Sequence, residues 1–389
     1  MPETAAQNAP SKSIAIACGG TGGHLFPGVA VGEELRQRGC NVTLMISPKE
    51  VDQRAVRSIS GMEIVTLPAV GLTRGAGIGF FLGFWKSYRA ARRHFRLRRA
   101  DFVLAMGGFV SAPPIVAGRS CGAKTFLHES NSIPGRANRW LAPLVDGAFV
   151  YFPSAAARLR ARRVEVAGMP VRPQFRAPMT TSEARQALGI PVEDPLLLVM
   201  GGSQGATRIN ELILKIAPQL REAVPGLQFM HLTGPSDFEK IRDGYAAQKV
   251  PAMVHPFFEQ MGAALAAADV AVSRAGASSL AELAARQLPA VLIPYPTAAD
   301  NHQFFNALAF AECGAAQMLR QETTTSDQLA SEILELLRDT SKRPSMRRAL
   351  ADRHKPGAAA EIAERILHWT GETGNAVGAT EVKLKALSC

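Results

Sequence analysis

Three glycine-rich turns hold the residues best suited to chemistry: GGTGGH at 19–24, GGFVS at 107–111 and GGSQGA at 201–206. Bare backbone amides at a helix start attract an anion, and glycine lets a phosphate-sized group approach closely. One such turn is equally an ordinary strand-to-helix connection; three in one chain favour anion binding. His24 closes the first turn. Imidazole titrates near neutrality, so beside an anion site it is a candidate general base, with a plain helix-start residue as the alternative. After Gly20 and Gly22 the third fingerprint glycine is replaced by Leu25. No Gly-Lys-Ser/Thr follows any of the turns either, so neither a dinucleotide fingerprint nor a P-loop is present.

Polar groups gather at further turns. In SRAGASSLAELAA (273–285), Ser279 and Glu282 have capping-box spacing, which would bend Glu282 back onto the helix start. Alternatively Glu282 accepts hydrogen bonds from vicinal hydroxyls such as those of a ribose. DNHQFFNALAF (300–310) clusters amide and imidazole groups, which suit sugar hydroxyls or simply open a polar helix. HESNSIPGRANRW (128–140) offers His128, Glu129 and Asn131 after an apolar run. No Asp-x-Asp pair is present to hold a cation on a diphosphate. The expectation is therefore no metal and no cofactor, with amides, Ser203 and arginines neutralising a bound diphosphate.

The elements that must position these groups alternate between strand and helix. SIAIACGG (13–20), NVTLMIS, EIVTLPAV, DFVLAMGG, KTFLHES, GAFVYF and VEVAGMP are the strands of a first half, apolar as buried parallel strands are. The proline-rich VRPQFRAPMTTSE (171–183) marks a boundary. PLLLVMGG, LQFMHLTG, AMVHPF, DVAVSRAG and AVLIPYP form a second series, and glycine pairs at Gly19-Gly20 and Gly201-Gly202 open the two halves alike. The fold class expected is α/β: two doubly wound, Rossmann-like domains with parallel sheets facing a cleft. The domains expected are 1–170 and 171–356, a last helix over about 357–370, and a mobile tail at 371–389.

At 389 residues the chain has room for two such domains. It is 47% hydrophobic and 20% charged, a globular balance, and its net charge of +11 calls for an anionic partner. Nucleic acid, a phosphorylated substrate and an acidic membrane surface all qualify. Cys18, Cys40, Cys121, Cys313 and Cys389 show no CxxC or metal spacing and are expected to be reduced. The opening MPETAAQNAPSKS lacks an apolar signal core, and the nearly apolar run 75–85 is far short of the ~20 residues of a spanning helix.

One stretch is greasy at one end and basic at the other. In GIGFFLGFWKSYRAARRHFRLRR (77–99), Phe80, Phe81, Leu82, Phe84 and Trp85 precede seven basic residues between Lys86 and Arg99. No acidic residue occurs between Glu63 and Asp101. Helical spacing puts Phe84, Tyr88, Ala91 and Phe95 on one face against a sheet, leaving the aromatic tip and the cations for another surface.

GGTGGHLFPG, MGGFVSAP, HESN, GMPVR, GGSQGA, GASSLAE and DNHQFFNA occur in that order over nearly the whole chain. Together they resemble the MurG family, the peptidoglycan N-acetylglucosaminyltransferases of the GT-B fold. The resemblance implies inverting transfer of N-acetylglucosamine from its UDP donor to undecaprenyl-diphosphate-linked muramyl-pentapeptide (lipid I), giving lipid II. Carried onto matching positions, Ser203 and Arg172 would hold the donor diphosphate, and the main chain at Phe258 would read uracil. Ala277, Ser278, Ser279, Leu280, Ala281 and Glu282 would flank the ribose. Gln303 and Asn131 would contact the sugar, with Thr21, Gly22 and Gly23 closing from the first domain. Gly20, Gly107, Gly108 and Ser111 would take the acceptor diphosphate, and His24, then Glu129, would be the base.

Phe80, Phe81, Phe84 and Trp85 would enter an anionic membrane surface, with Lys86 and Arg89 against its headgroups. Peripheral attachment to the cytoplasmic face of a bacterial inner membrane is implied, with cell-wall or division proteins as further partners and no nucleic acid. The chain departs from the family pattern at Ser278-Ser279, where threonine is usual second, and in HESN for the commoner HEQN. A diacylglycerol glycosyltransferase is the rival enzyme reading, but should lack the HESN and MGGFVSAP pair. A non-catalytic membrane- or nucleic-acid-binding protein is the rival from another class. The clustering of polar groups at strand ends argues against it.

Overall fold

The structure is a computed structural model describing residues 11–20, 22–57, 59–68, 77–202, 204–339 and 341–370. Thr21, Ser203 and the tail 371–389 lie outside the described residues. The chain divides into two compact units. The first contains the described residues up to Ser130, then Pro134–Pro170 and the last helix; the second contains Asn131–Ile133 and Val171–Pro356.

The first unit is built on β1 (Ser13–Ala17), β2 (Asn41–Ile46), β3 (Glu63–Thr66), β4 (Phe102–Ala105), β5 (Lys124–Glu129), β6 (Gly147–Val150) and β7 (Val164–Val166). They form one seven-stranded sheet in the order β3-β2-β1-β4-β5-β6-β7, parallel throughout. The helices that matter below are α1 (Gly22–Gln37), α2 (Glu50–Val56), α3 (Gly77–Leu97), α4 (Ala112–Ser120) and α5 (Arg136–Leu141).

Successive strand residues feed two separate cores, as the two-residue period requires. Ile14, Ile16 and Cys18 of the β1 segment join Leu44, Leu104, Phe126 and Phe149 beneath α1 and the helix Ala358–Leu367. Ala15 and Ala17 join Val103, Ala105, Leu127 and Val150 on the other face, beneath α3 and α4. With both faces covered, continuous apolar runs were the right signature. The last helix inserts Ala359, Ile362, Ala363 and Ile366 into the first of these cores. Lys12 Nζ also donates to Leu367 O at 2.7 Å.

The second unit repeats the winding. β8 (Leu196–Met200), β9 (Gln228–Leu232), β10 (Ala252–His255), β11 (Val270–Ser273), β12 (Ala290–Leu292) and β13 (Gln317–Met318) form a six-stranded sheet in the order β10-β9-β8-β11-β12-β13. Every pairing is again parallel. Counted from each unit's own first strand, both sheets run 3-2-1-4-5-6, the doubly wound order, and the first adds β7 beyond its sixth strand. Among the described strands, only β13, two residues long and half-buried, escapes a reading based on apolar runs.

Helix α3 divides its residues between core and solvent. Ser87, Ala91 and Phe95 are buried at four-residue spacing, and Phe84 and Tyr88 are half-buried beside them. The expectation for this face therefore holds for Ala91 and Phe95 in the core and for Tyr88 packed against it, with Ser87 buried beside them. Phe81 (69% exposed), Leu82 and Trp85 point outward, while the Phe80 ring leans on Phe109 at 5.6 Å. No described helix is long and apolar enough to cross a membrane.

Ile366→Ala removes a fully buried side chain from the last helix. It should lower stability by about 2–5 kcal/mol, measured as an earlier midpoint in urea. An unchanged midpoint would show that this helix contributes little to the first core.

Candidate active site

Ligands of open parallel sheets bind outside the strand carboxyl ends where the strand order reverses. In the first unit that point lies between β1 and β4, and the turns GGTGGH and GGFVS leave those two strands. Gly20, Gly107 and Gly108 all have positive φ (105°, 109° and 74°), a region costly for other residues. α1 begins at Gly22, so His24 sits in its first turn, beside the helix-start N–H groups. Its ring lies on the second turn. A Cβ at Gly107 would come within 2.8 Å of His24 Cε1 and 2.9 Å of Nδ1. Glycine at 107 is thus required both by backbone and by the imidazole.

The first turn is tied down from behind. Asp52, fully buried on α2, accepts from the Gly20 N–H at 2.6 Å and the Ser47 hydroxyl at 2.5 Å through one oxygen. Lys49 Nζ donates to Gly20 O at 3.1 Å. The Gly20 amide expected to face a phosphate therefore faces a carboxylate. Ser111 is also fully buried, its hydroxyl within reach of Gly107 O at 2.5 Å and Ala17 O at 3.0 Å. The structure places it under the second turn, joining it to the end of β1.

The end of β5 supplies a third group. His128 is 1% exposed, and its Nε2–H donates to Gly168 O at 2.9 Å, since a carbonyl only accepts. Burial pushes its pKa down to about 4, against the opposing pull of that carbonyl, so the ring is neutral. Glu129, also buried, accepts through Oε2 from Gly135 N–H (2.9 Å) and Asn138 Nδ2 (2.8 Å). Its carboxylate is the centre around which the 130–138 loop folds.

In the second unit the strand order reverses between β8 and β11, whose turns are GGSQGA and SRAGASS. Gly205 has φ 78°, and a Cβ there would lie 2.0 Å from Thr233 O, so the turns after β8 and β9 touch through glycine. Asn210 anchors the pair by donating to Thr233 O (2.9 Å) and Asp237 Oδ2 (2.8 Å). Its Oδ1 then accepts from His231 Nε2 at 3.0 Å, leaving Nδ1 to accept from the Tyr245 hydroxyl at 3.0 Å. Burial holds His231 neutral, with its pKa lowered to about 3.

The helix Ala277–Arg286 corrects one expectation. Its N-cap is Gly276, with no side-chain cap bond. The helix starts before Ser279, so Ser279 and Glu282 lie inside it and form no capping box. Glu282 instead meets Arg172 at 3.1 Å. Burial raises the Glu282 pKa and Arg172 opposes the rise. Ala277, Leu280 and Ala281 turn their side chains into the core, leaving Ser278 and Ser279 half-buried.

Gln303 Oε1 accepts from Tyr295 N–H at 3.0 Å. Phe258 is half-buried, its ring 5.0 Å from that of His255. Asn131 Oδ1 accepts from Asn306 Nδ2 at 3.0 Å. Arg274, buried at the end of β11, donates to Ile293 O (3.0 Å), Pro294 O (3.1 Å) and Gln321 Oε1 (2.6 Å).

Residues 14–150 match the glycosyltransferase family 28 N-terminal domain, and residues 196–365 its C-terminal domain. The chain is 40% identical, over 93% of its length and 99% of the relative's, to the UDP-N-acetylglucosamine–N-acetylmuramyl-(pentapeptide) pyrophosphoryl-undecaprenol N-acetylglucosamine transferase of Acidithiobacillus ferrooxidans. The chain belongs to the MurG family. The enzyme of the same name from Desulforudis audaxviator is 33% identical over 92% of the chain and 99% of its own. The crystal structure of Acinetobacter baumannii MurG superposes with TM-score 0.72 at 27% identity, covering 92% of this chain and 99% of that one. The calicheamicin glycosyltransferase CalG4, at 17% identity and TM-score 0.63 over 94% of this chain and all of its own, shares the fold.

In this MurG-family chain, sequence reasoning identified the outward turns but missed the buried side chains that hold them. Asp52, Asn210 and His231 had no local signal. Asn138, Arg274 and Asn306 lay within the polar turns HESNSIPGRANRW, SRAGASSLAELAA and DNHQFFNALAF without being singled out.

His128 links the site to acidity. A histidine whose pKa falls from about 6.5 to about 4 on folding stabilises the fold fully above pH 6.5. That contribution is lost as pH falls towards 4. His128→Gln keeps a donor for Gly168 and should flatten the drop in urea midpoint between pH 7 and 4.5. An unchanged acid slope would assign the drop elsewhere, His231 being the next group.

Proposed function

We propose that this chain transfers N-acetylglucosamine from UDP-N-acetylglucosamine to the muramyl-pentapeptide of lipid I, with inversion at the anomeric carbon. The observation that carries the reading is the pairing of a glycine turn and a second polar turn at the strand-order reversal of both units, in a chain 33–40% identical to enzymes named for this reaction. The second unit holds the donor: amides of GGSQGA and Arg172 meet the diphosphate, and Glu282 the ribose. Phe258 main chain meets the uracil, and Gln303 and Asn131 the sugar. In the first unit Gly107 and Gly108, with the α1 N-terminus at Gly22 and Gly23, meet the acceptor diphosphate.

His24 takes the proton from the acceptor hydroxyl as its oxygen attacks the anomeric carbon. The bond to the diphosphate breaks with its electron pair leaving on UDP, where amides and Arg172 stabilise the charge. Glu129 is the second candidate base. Its bonds to Gly135 and Asn138 suit it better to shaping the loop.

The acceptor is lipid-linked, and α3 offers a surface for that lipid. Phe81, Leu82 and Trp85 are exposed beside Lys86 and Arg89. We assign this face to an anionic membrane, peripherally and on its cytoplasmic side. Apolar insertion and ~1 kcal/mol per headgroup-facing cation would act together.

Radiolabelled UDP-N-acetylglucosamine and a lipid I analogue should yield a labelled lipid-linked disaccharide. His24→Ala should lower turnover by ~10²–10⁴-fold with little change in UDP affinity. Near-normal turnover at saturating acceptor would move the base to Glu129. Phe81→Ser/Trp85→Ser should lose most sedimentation with phosphatidylglycerol vesicles while retaining UDP affinity. Undiminished sedimentation would place the membrane face elsewhere.

A further inference from the structure

Asn306 is completely buried in the helix His302–Ala311 of the second unit, and both ends of its amide are committed. The backbone N–H of Ser132 donates to its Oδ1 at 2.9 Å, and its Nδ2 donates to the carbonyl of Ala275 at 3.2 Å. A backbone N–H can only donate and a carbonyl can only accept, so these two partners fix which end of the Asn306 amide is which. Nδ2 also points at Asn131, 3.0 Å away. An NH2 group cannot accept, so the Asn131 atom facing it is its carbonyl oxygen. The orientation of the Asn131 amide follows: its oxygen is turned to Asn306 and its NH2 away.

The same side chain joins three segments. Ser132 and Asn131 belong to the short stretch Asn131–Ile133 that groups with the second unit, and Ala275 lies in the turn between β11 and the helix Ala277–Arg286. Asn306 is one helical turn after Gln303, on the element that carries the other sugar-facing amide.

We propose that Asn306 is a positioning residue for the donor sugar. By holding the oxygen of Asn131, it makes Asn131 meet the sugar as an N–H donor, so the sugar presents an oxygen lone pair at that point. The inference rests on the donor assignment above. It predicts that the loss of Asn306 is felt by the sugar and not by the nucleotide.

Isothermal titration of the full chain with UDP and with UDP-N-acetylglucosamine separates the two. Asn131→Asp keeps an oxygen for Asn306 and replaces the NH2 turned to the sugar with a carboxylate oxygen, which cannot donate. It should weaken UDP-N-acetylglucosamine binding about five- to tenfold, the worth of one hydrogen bond to a neutral group, and leave UDP within twofold. Asn306→Asp keeps the acceptor for Ser132 but loses both donors, and should show the same sugar-only loss. Because Asn306 acts through Asn131, Asn131→Ala/Asn306→Asp should bind UDP-N-acetylglucosamine no more weakly than Asn131→Ala alone. Equal losses for UDP and UDP-N-acetylglucosamine, or additive losses in the double variant, would overturn the positioning role. If Asn306→Asp fails to fold, Asn131→Asp still decides: wild-type affinity for the sugar nucleotide overturns the proposal. Wild-type protein binding neither ligand would sink the donor assignment and the inference together.

Discussion

A parallel strand ends in carbonyls at the same edge where the next helix begins with unpaired N–H groups. In a doubly wound sheet the connections run to opposite faces on either side of the first strand, which leaves that edge uncovered at one place. Both units of this chain place their glycine turns there, after β1 and β4 and after β8 and β11. On the proposed reading, anion binding follows from winding order, and glycine lets the backbone itself serve as the ligand surface.

A backbone surface serves only if it cannot collapse, and that requirement explains the buried polar groups. Asp52 and Ser47 hold Gly20; Asn210, His231 and Tyr245 brace the turns after β8 and β9; Arg274 ties three strand ends. Such groups are costly in a protein interior unless paired, and paired ones favour one geometry. The two neutral histidines illustrate the selection. Each ring is buried beyond the reach of water, His231 as a fixed donor–acceptor pair and His128 as a fixed donor to Gly168 O, whereas His24 sits at a helix start where chemistry is possible.

The legibility of the sequence divides along the same line. Twelve strands were readable because strands covered on both faces are continuous apolar runs, and the turns were readable because glycine pairs end them. The capping-box alternative for Glu282 arose because the local spacing Ser279–Glu282 satisfied a short-range rule. Its partner, Arg172, lies 110 positions away. Asp52 stands 32 positions from the glycine it holds. Spacing rules report contacts made within a turn of helix, and the groups supporting this site act across the fold.

The Arg172–Glu282 pair has a consequence for selectivity on the proposed reading. Neither charge is left alone in a half-buried setting, where an unpaired ion is strongly unfavourable. Inorganic phosphate drawing Arg172 away would leave the Glu282 carboxylate, already disfavoured by burial, without its counter-ion. A nucleoside diphosphate gives Arg172 a new anion and offers Glu282 two ribose hydroxyls as donors in the same event. The pair therefore discriminates by requiring that both functions arrive on one molecule, and it does so through the cost of separating them.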